Sequence, residues 1–378
     1  MVSETHNAEL VRAQRARAWP DISDAEWLDW RWQLRARLTS RADLERLLVL
    51  SEDERNGCDA AAEVFALGVT PYYASMMSRD DPRCPIRRQV VPTLAELDVA
   101  ADEQADPLAE DRHAPTSALT HRYRDRALIF ATHTCPAYCR HCNRRRKVGD
   151  PRSAPTQGEL AQAIAYVREH SEIRDVILSG GDPLTLSDER LGDLLAALRA
   201  IAHVEVLRLA TRAPVTLPQR ITPALCRLLK RFHPIFINTH FNHPREATPE
   251  AAAALARLAD AGCVLGNQMV LLRGINDELD TVEALNRWLL RQRCRPYYIF
   301  QADLVHGIGH FRTPLAAGTA IIKGLRARCS GLAVPHFVVD LPGGGGKVPV
   351  TAEAIITSEA GRVVFRGTEG ELVEYHDV

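Results

Sequence analysis

The sequence predicts an α/β fold: a (β/α)6 TIM-like barrel, full or partial, with an N-terminal helical extension. Two observations predict it. From residue 127 onward, short apolar runs alternate with longer amphipathic stretches. That is the pattern of strands joined by helices around a parallel sheet. Polar residues then recur at or just after the apolar runs: His133, Asp182, Arg212, His240, Gln268 and Asp303. In βα barrels the active site lies at the C-terminal ends of the strands, so one recurring placement outweighs any single residue.

Taken in order, residues 1–110 are rich in Arg, Glu, Ala and Leu and carry Trp19, Trp27, Trp30 and Trp32. Residues 23–38 and 41–50 read as helices, each opened by a capping-type residue or polar turn. Residues 102–113 are acidic and then loop-like. The barrel is expected over 111–341. Its strands fall at 127–131, 176–178, 204–210, 235–240, 264–272 and 296–301. Its helices fall at 156–170, 188–201, 223–232, 249–261, 279–291 and 313–328. Residues 342–378 form a C-terminal segment that opens on a glycine run.

Composition bounds the function. The chain has 378 residues, 46% hydrophobic and 25% charged, enough to bury a core. Lys plus Arg total 47 against 48 Asp plus Glu, a net charge of −1, which argues against a dedicated nucleic-acid binder. No apolar run approaches the ~20 residues of a membrane span. The first residues lack a basic-then-apolar signal pattern, so a cytoplasmic protein is expected. The 9 cysteines are scattered and do not suggest a disulfide framework. Cys58, Cys84, Cys226, Cys263, Cys294 and Cys329 stand alone and read as small buried hydrophobes.

Cys135, Cys139 and Cys142 are different, spaced Cys-x3-Cys-x2-Cys after the first strand. Three clustered thiolates need a shared partner. A structural zinc wants four ligands, and His141, adjoining Cys142, points poorly for a shared tetrahedron. A [4Fe–4S] cube held by three cysteines leaves one iron open. From spacing alone, zinc and chance clustering stay open beside the cube. Pro342-Gly343-Gly344-Gly345-Gly346-Lys347 is not a phosphate-binding P-loop, because Val348 follows the lysine and Pro349 forbids the helix. It suits a Schiff-base lysine, or a surface turn with a solvated lysine. Arg144-Arg145-Arg146-Lys147 reads as a nucleic-acid patch or a solvated loop, and the net charge weakens the former.

The cysteine spacing resembles the signature of radical S-adenosylmethionine enzymes, which build on a six-unit partial barrel. Four stretches narrow the resemblance to the lysine 2,3-aminomutase family. They are Cys139-Arg140-His141-Cys142-Asn143-Arg144-Arg145-Arg146, Leu178-Ser179-Gly180-Gly181-Asp182, Asn238-Thr239-His240-Phe241-Asn242-His243-Pro244 and Asp340-Leu341-Pro342-Gly343-Gly344-Gly345-Gly346-Lys347. The resemblance runs from about His121 to the C-terminal region. It implies that Cys135, Cys139 and Cys142 hold a [4Fe–4S] cluster whose open iron binds S-adenosyl-L-methionine. Ser179, Gly180, Gly181 and Asp182 would border the methionine part, the glycines allowing close backbone approach. His240 and Gln268 would line the same site. Lys347 would carry pyridoxal 5'-phosphate. Arg122 would contact its phosphate, with Tyr123 and Arg126 secondary, because a guanidinium fork suits phosphate oxygens. Arg144 would take the substrate α-carboxylate.

Departures accompany the likeness. Phe300 stands where the family commonly has tyrosine, so one hydroxyl near the cofactor is lost. Met269 follows Gln268 where a smaller residue is usual. Some relatives carry a C-terminal cysteine cluster for structural zinc. No cysteine follows Cys329 here, so no zinc is expected.

The implied reaction moves an amino group between adjacent carbons. A side-chain base cannot ionise an unactivated β C–H bond at neutral pH, so the cofactors supply radical chemistry and the protein supplies positioning and exclusion of water. The resemblance places Asp303 and Asp340 at the far end of the substrate pocket. Two adjacent carboxylates repel unless a cation lies between them, so a small cationic amino acid is expected. L-Lysine comes first and L-arginine second, since a guanidinium can bridge both acids and Ala302 leaves a little room. An electron donor such as flavodoxin or ferredoxin and a homo-oligomer are expected, with no nucleic acid or membrane partner. The rival readings are a radical enzyme acting on a protein-bound lysine and a non-enzymatic zinc- or RNA-binding protein.

Overall fold

A computed structural model describes residues 4–61, 64–351, 355–367 and 370–378. Its strands are β1 (Leu119–Tyr123), β2 (Arg126–Thr132), β3 (Asp175–Gly180), β4 (Val206–Ala210), β5 (Ile235–Thr239), β6 (Val264–Leu271), β7 (Cys294–Gln301), β8 (His336–Asp340), β9 (Lys347–Pro349), β10 (Ile355–Glu359), β11 (Arg362–Arg366) and β12 (Leu372–His376). The first nine form a 9-stranded sheet in sequence order, and the last three form a separate 3-stranded antiparallel sheet.

From β2 to β8 every pairing is parallel, and helices fill the connections. Stepping always to the adjacent strand with a right-handed crossover curls a sheet toward a barrel. Strand periodicity then sorts the side chains. Val176 and Leu178, and Leu207 and Leu209, are fully buried in the core. Ile177, Ser179, Arg208 and Ala210, on the alternate positions, line a central cavity.

Two strands escape the sequence pattern. β8 is a further parallel strand, where the sequence suggested only the approach to the glycine run. Its apolar stretch is just Phe337, Val338 and Val339, too short to stand out beside the glycines. β1, which carries no strand pattern in the sequence, is an antiparallel edge strand reading Leu-Thr-His-Arg-Tyr. An edge strand facing a polar cavity needs no apolar run. β9 pairs antiparallel with β8, so the sheet has antiparallel strands at both edges. β1 meets the far end of the sheet through two bonds: Arg122 donates to Asp340 of β8 at 2.8 Å, and the Lys347 main-chain amide of β9 donates to the Tyr123 hydroxyl at 3.0 Å.

The N-terminal helices are shorter than expected. Residues 23–38 divide into Asp24–Leu28 and Trp30–Arg35, because Asp29 is extended and caps the second helix by accepting from the Arg31 amide. The helix expected at 41–50 spans Arg41–Glu45, and an unexpected helix covers Glu4–Ala18. This extension shares one hydrophobic core with the barrel, running from Val11 and Trp27 through Leu178 to Tyr375. Among the described residues no helix is long and apolar enough to cross a membrane.

Candidate active site

The C-terminal ends of the strands enclose a cavity of about 350 Å³. Cys139 and Cys142 line one side. Asp303, Asp340 and Lys347 line another, with Arg144, Ser179, His240 and Gln268 also on its wall.

The cysteine loop, after β2, is fastened largely by the N-terminal extension. Arg37 Nη1 donates to the Cys135 carbonyl at 2.6 Å, and the Tyr138 amide donates to Gly68 O at 2.8 Å. Arg140, fully buried, sets its fork on Glu96 at 2.8 and 2.7 Å, and Arg145 adds a third bond to Glu96 at 2.5 Å. Arg212 Nη1 lies 2.7 Å from Cys139 Sγ, while its other amino group bonds Glu246 at 2.8 Å and Gln89 at 2.5 Å. Burial, then Asp182 and the neighbouring thiols, push Cys135 well above the ordinary thiol range. Burial and Cys139 push Cys142 up to about 11. Thiols in this setting ionise readily only with a cationic partner, which is the chemistry of an iron–sulfur donor set. Among the described residues no three Cys, His, Asp or Glu converge as they would on a single ion.

The glycines of the Ser179–Asp182 stretch answer to the chain itself. A Cβ on Gly180, at φ +97°, would meet Thr132 O at 2.6 Å, and one on Gly181 would meet Thr134 O at 2.4 Å. The segment leading into the cysteine loop makes a close approach here. Asp182 is buried and accepts from Thr211 Oγ1 at 2.7 Å, the Arg212 amide at 2.8 Å and the Leu184 amide at 3.0 Å. It ties the end of β3 to the end of β4. Of this stretch Ser179 lines the cavity. His240 Nε2 lies 3.0 Å from Asn242 Oδ1, which orients the ring. Arg144 bonds Glu110 at 2.8 and 2.7 Å and reaches Ser179 Oγ at 3.5 Å.

At the lysine end, Asp340 and Lys347 are opposite partners in the β8–β9 ladder. Lys347 Nζ lies 3.0 Å from Asp340 Oδ2 and 4.3 Å from the Phe300 ring centroid. Arg122 takes the other Asp340 oxygen and donates to Tyr123 Oη at 2.6 Å. Against burial, which pushes upward, Lys347 and Arg122 hold Asp340 below the usual carboxylate range. Burial and then Asp340 push Asp303 up to about 7, although Asn143 donates to it at 2.7 Å. The glycine run is a structured hairpin loop, with Gly343, Gly344 and Gly346 at positive φ and the Gly343 amide donating to Pro107 O at 3.0 Å.

This end also carries unspent donors. Arg122 Nε is buried without a partner. The Arg126 guanidinium stacks at 4.1 Å over Tyr123, and that guanidinium makes no hydrogen bond or ion pair with described residues. Arg208, held at 2.9 Å by Asp175, lines the same wall. Such a donor set fits an anionic phosphate near an amine.

A family model described as lysine-2,3-aminomutase matches residues 322–378, and one described as the radical SAM superfamily matches residues 129–285. An L-lysine 2,3-aminomutase of Fusobacterium nucleatum is 49% identical over 361 residues, covering 96% of this chain and 85% of that protein. The chain belongs to the lysine 2,3-aminomutase family. An L-lysine 2,3-aminomutase of Clostridium subterminale is 47% identical over 364 residues, covering 96% of this chain and 88% of that protein. A glutamate 2,3-aminomutase of Clostridioides difficile is 41% identical over 355 residues, with 94% and 84% covered. Membership in the radical SAM superfamily implies a [4Fe–4S] cluster and S-adenosylmethionine, and the cysteine loop fits them.

Several residues that build this site carry no local signal. Glu96, Glu110 and Arg37 lie in the helical extension, far in sequence from the cysteines they brace or the arginine they hold. Arg212 stands out only through its position after a strand.

Proposed function

We propose that the protein interconverts L-lysine and β-lysine. The observation that carries this is the 3.0 Å contact between Lys347 Nζ and Asp340: a primary ammonium already rests on a carboxylate that faces the cavity. A substrate lysine ends in the same group. Asp303 adds a second carboxylate beside it, and Arg144 offers a guanidinium to the α-carboxylate.

When bound, the cluster with S-adenosylmethionine supplies the one-electron chemistry that breaks an unactivated C–H bond, and pyridoxal phosphate supplies the conjugation that carries the migrating nitrogen. Cys135, Cys139 and Cys142 hold the cluster. His240, Gln268 and Ser179 line the S-adenosylmethionine side, while Gly180, Gly181 and Asp182 shape it from behind. Lys347 anchors pyridoxal phosphate, and Arg122, Arg126 and Tyr123 hold its phosphate. Arg144 exchanges Glu110 for the substrate carboxylate. Asp303 and Asp340 bind the terminal ammonium. The buried walls keep water out. An electron donor of the flavodoxin or ferredoxin kind would supply the electron that first reduces the cluster, since the isomerisation itself consumes none.

The test is an anaerobic assay of reconstituted, reduced protein against lysine, arginine, glutamate and alanine, with products separated by chirality-sensitive chromatography. β-Lysine is the expected product. Turnover of glutamate or alanine with lysine and arginine inert would overturn the substrate assignment.

A further inference from the structure

The cysteine loop does more than present thiols. Its residue after Cys142 is Asn143, which lines the cavity and reaches across it. Asn143 Nδ2 donates to Asp303 Oδ2 at 2.7 Å. Asp303 lies beyond the end of β7, 160 residues away in sequence, so the bond joins two loops that share no strand. Among the described residues it is the one hydrogen bond that this carboxylate accepts.

We propose that Asn143 is a positioning residue for substrate specificity, orienting Asp303 so that its free oxygen faces the terminal ammonium of the bound amino acid. The inference rests on the reading of Asp303 as a receptor for the substrate's positive end, and deepens it.

The geometry supports the role in three ways. First, an aspartate needs one oxygen fixed if the other is to be aimed. Asp340 is fixed on both sides, by Arg122 and by Lys347, whereas among the described residues Asp303 has no cation within ion-pair distance. Asn143 is the neutral donor that fixes it. A neutral donor leaves the carboxylate's charge for the ligand, where an arginine or lysine would spend it.

Second, Asn143 sits on a stiff support. The Cys142 amide donates to Cys139 O at 2.9 Å, and the Val148 amide to Arg144 O at 3.0 Å. On either side, Arg140 and Arg145 converge on Glu96. A donor held this firmly transmits its orientation to the acid it bonds.

Third, the same loop bears Arg144 as the next residue. The group proposed for the substrate's carboxylate and the group that aims its ammonium receptor are therefore adjacent in the chain. Substrate length is measured between two points set by one segment.

The test compares wild type, Asn143→Ala, Asp303→Asn and the double variant, each loaded with cluster and pyridoxal phosphate and each checked for iron content. Asn143→Ala is expected to raise KM for lysine roughly ten- to hundredfold, the scale of a hydrogen bond to a charged group, with a much smaller change in kcat. In the Asp303→Asn background, Asn143→Ala should add little, because its effect passes through Asp303. Asn143→Ser, which keeps a donor, should recover part of the loss. An unchanged KM in Asn143→Ala, or additive losses in the double variant, overturns the proposal. If Asn143→Ala fails to load iron, Asn143→Leu, close in size but without a donor, carries the same comparison, and an unaltered KM for lysine there overturns it equally. A wild type that does not use lysine at all would instead sink the substrate reading, a separate failure visible before any variant is made.

Discussion

Asp340 and Lys347 stand opposite each other across an antiparallel strand pair, with Oδ2 and Nζ 3.0 Å apart. The lysine amine is thus held over the cavity by its own ladder partner. Arg122 balances the same carboxylate from the other edge of the sheet.

Lys347 is the expected anchor of pyridoxal phosphate. Borohydride reduction of pyridoxal phosphate-loaded protein should leave the label on Lys347 and on no other lysine, as read by peptide mass spectrometry. Lys347→Ala should lose both the label and the yellow colour. Labelling at Lys147 or Lys323 would show the glycine loop to be misassigned.

Asp303 gives a pH dependence. Its carboxyl is pushed up to about 7 by burial and by Asp340, so the substrate-free protein binds a proton there that the unfolded chain releases near pH 4. The sign follows: this group's contribution to stability is present at low pH and is lost as pH rises through the folded value. For a cationic substrate the dependence reverses, since the ionised form is the receptor. kcat/KM for lysine should rise through that range in wild type, and Asp303→Asn should flatten the rise. A profile with the same inflection in Asp303→Asn would assign it to another group.

Removing either carboxylate should weaken the use of cationic substrates. Asp303→Asn and Asp340→Asn are each expected to lower kcat/KM for lysine by ~2–5 kcal/mol, the scale of unpairing a buried charge. Asp340→Asn should also disturb pyridoxal phosphate binding, because Arg122 and Lys347 both rest on it. Separate titrations with cofactor and substrate distinguish the two effects.

Glu96 is expected to matter for the cluster although it lies outside the barrel. It neutralises Arg140 and Arg145 while almost fully buried. Glu96→Ala leaves two guanidinium groups without their acid, a change that costs about 3–5 kcal/mol. Denaturant unfolding should show the loss, and iron bound per chain after reconstitution should fall. Full iron loading in this variant would mean the loop holds its shape unaided.

Gly181→Ala should be similarly damaging, since its added methyl would fall 2.4 Å from Thr134 O. Backbone cannot yield there as a flexible side chain would. Reduced iron content with Lys347 still accepting pyridoxal phosphate is the expected pattern.

What was legible in the sequence was local. The cysteine spacing, the glycine run ending in Lys347 and the period of strands and helices each lie within a short window, so a single segment reveals them. β1 and β8 were missed because an edge strand facing a polar cavity, and a five-residue strand beside glycines, show little apolar pattern. The split at Asp29 was hidden for another reason: one residue both ends a helix and caps the next. Glu96, Glu110 and Arg37 were out of reach, because their partners lie 98 residues away for Arg37 and 44 and 34 for the two acids. Gly180 and Gly181 also make room for Thr132 and Thr134, a demand set by a distant segment that the local motif does not show.

The meeting of the sheet's first and last strands has a mechanical meaning. Tyr123 grips the main-chain nitrogen of Lys347, not its amine. The seam of the barrel is therefore sewn to the backbone, and the working end of Lys347 hangs free of the stitch. When the amine exchanges one partner for another, the side chain can swing while the strand behind it stays put. A seam sewn through the amine itself would come open at every turnover.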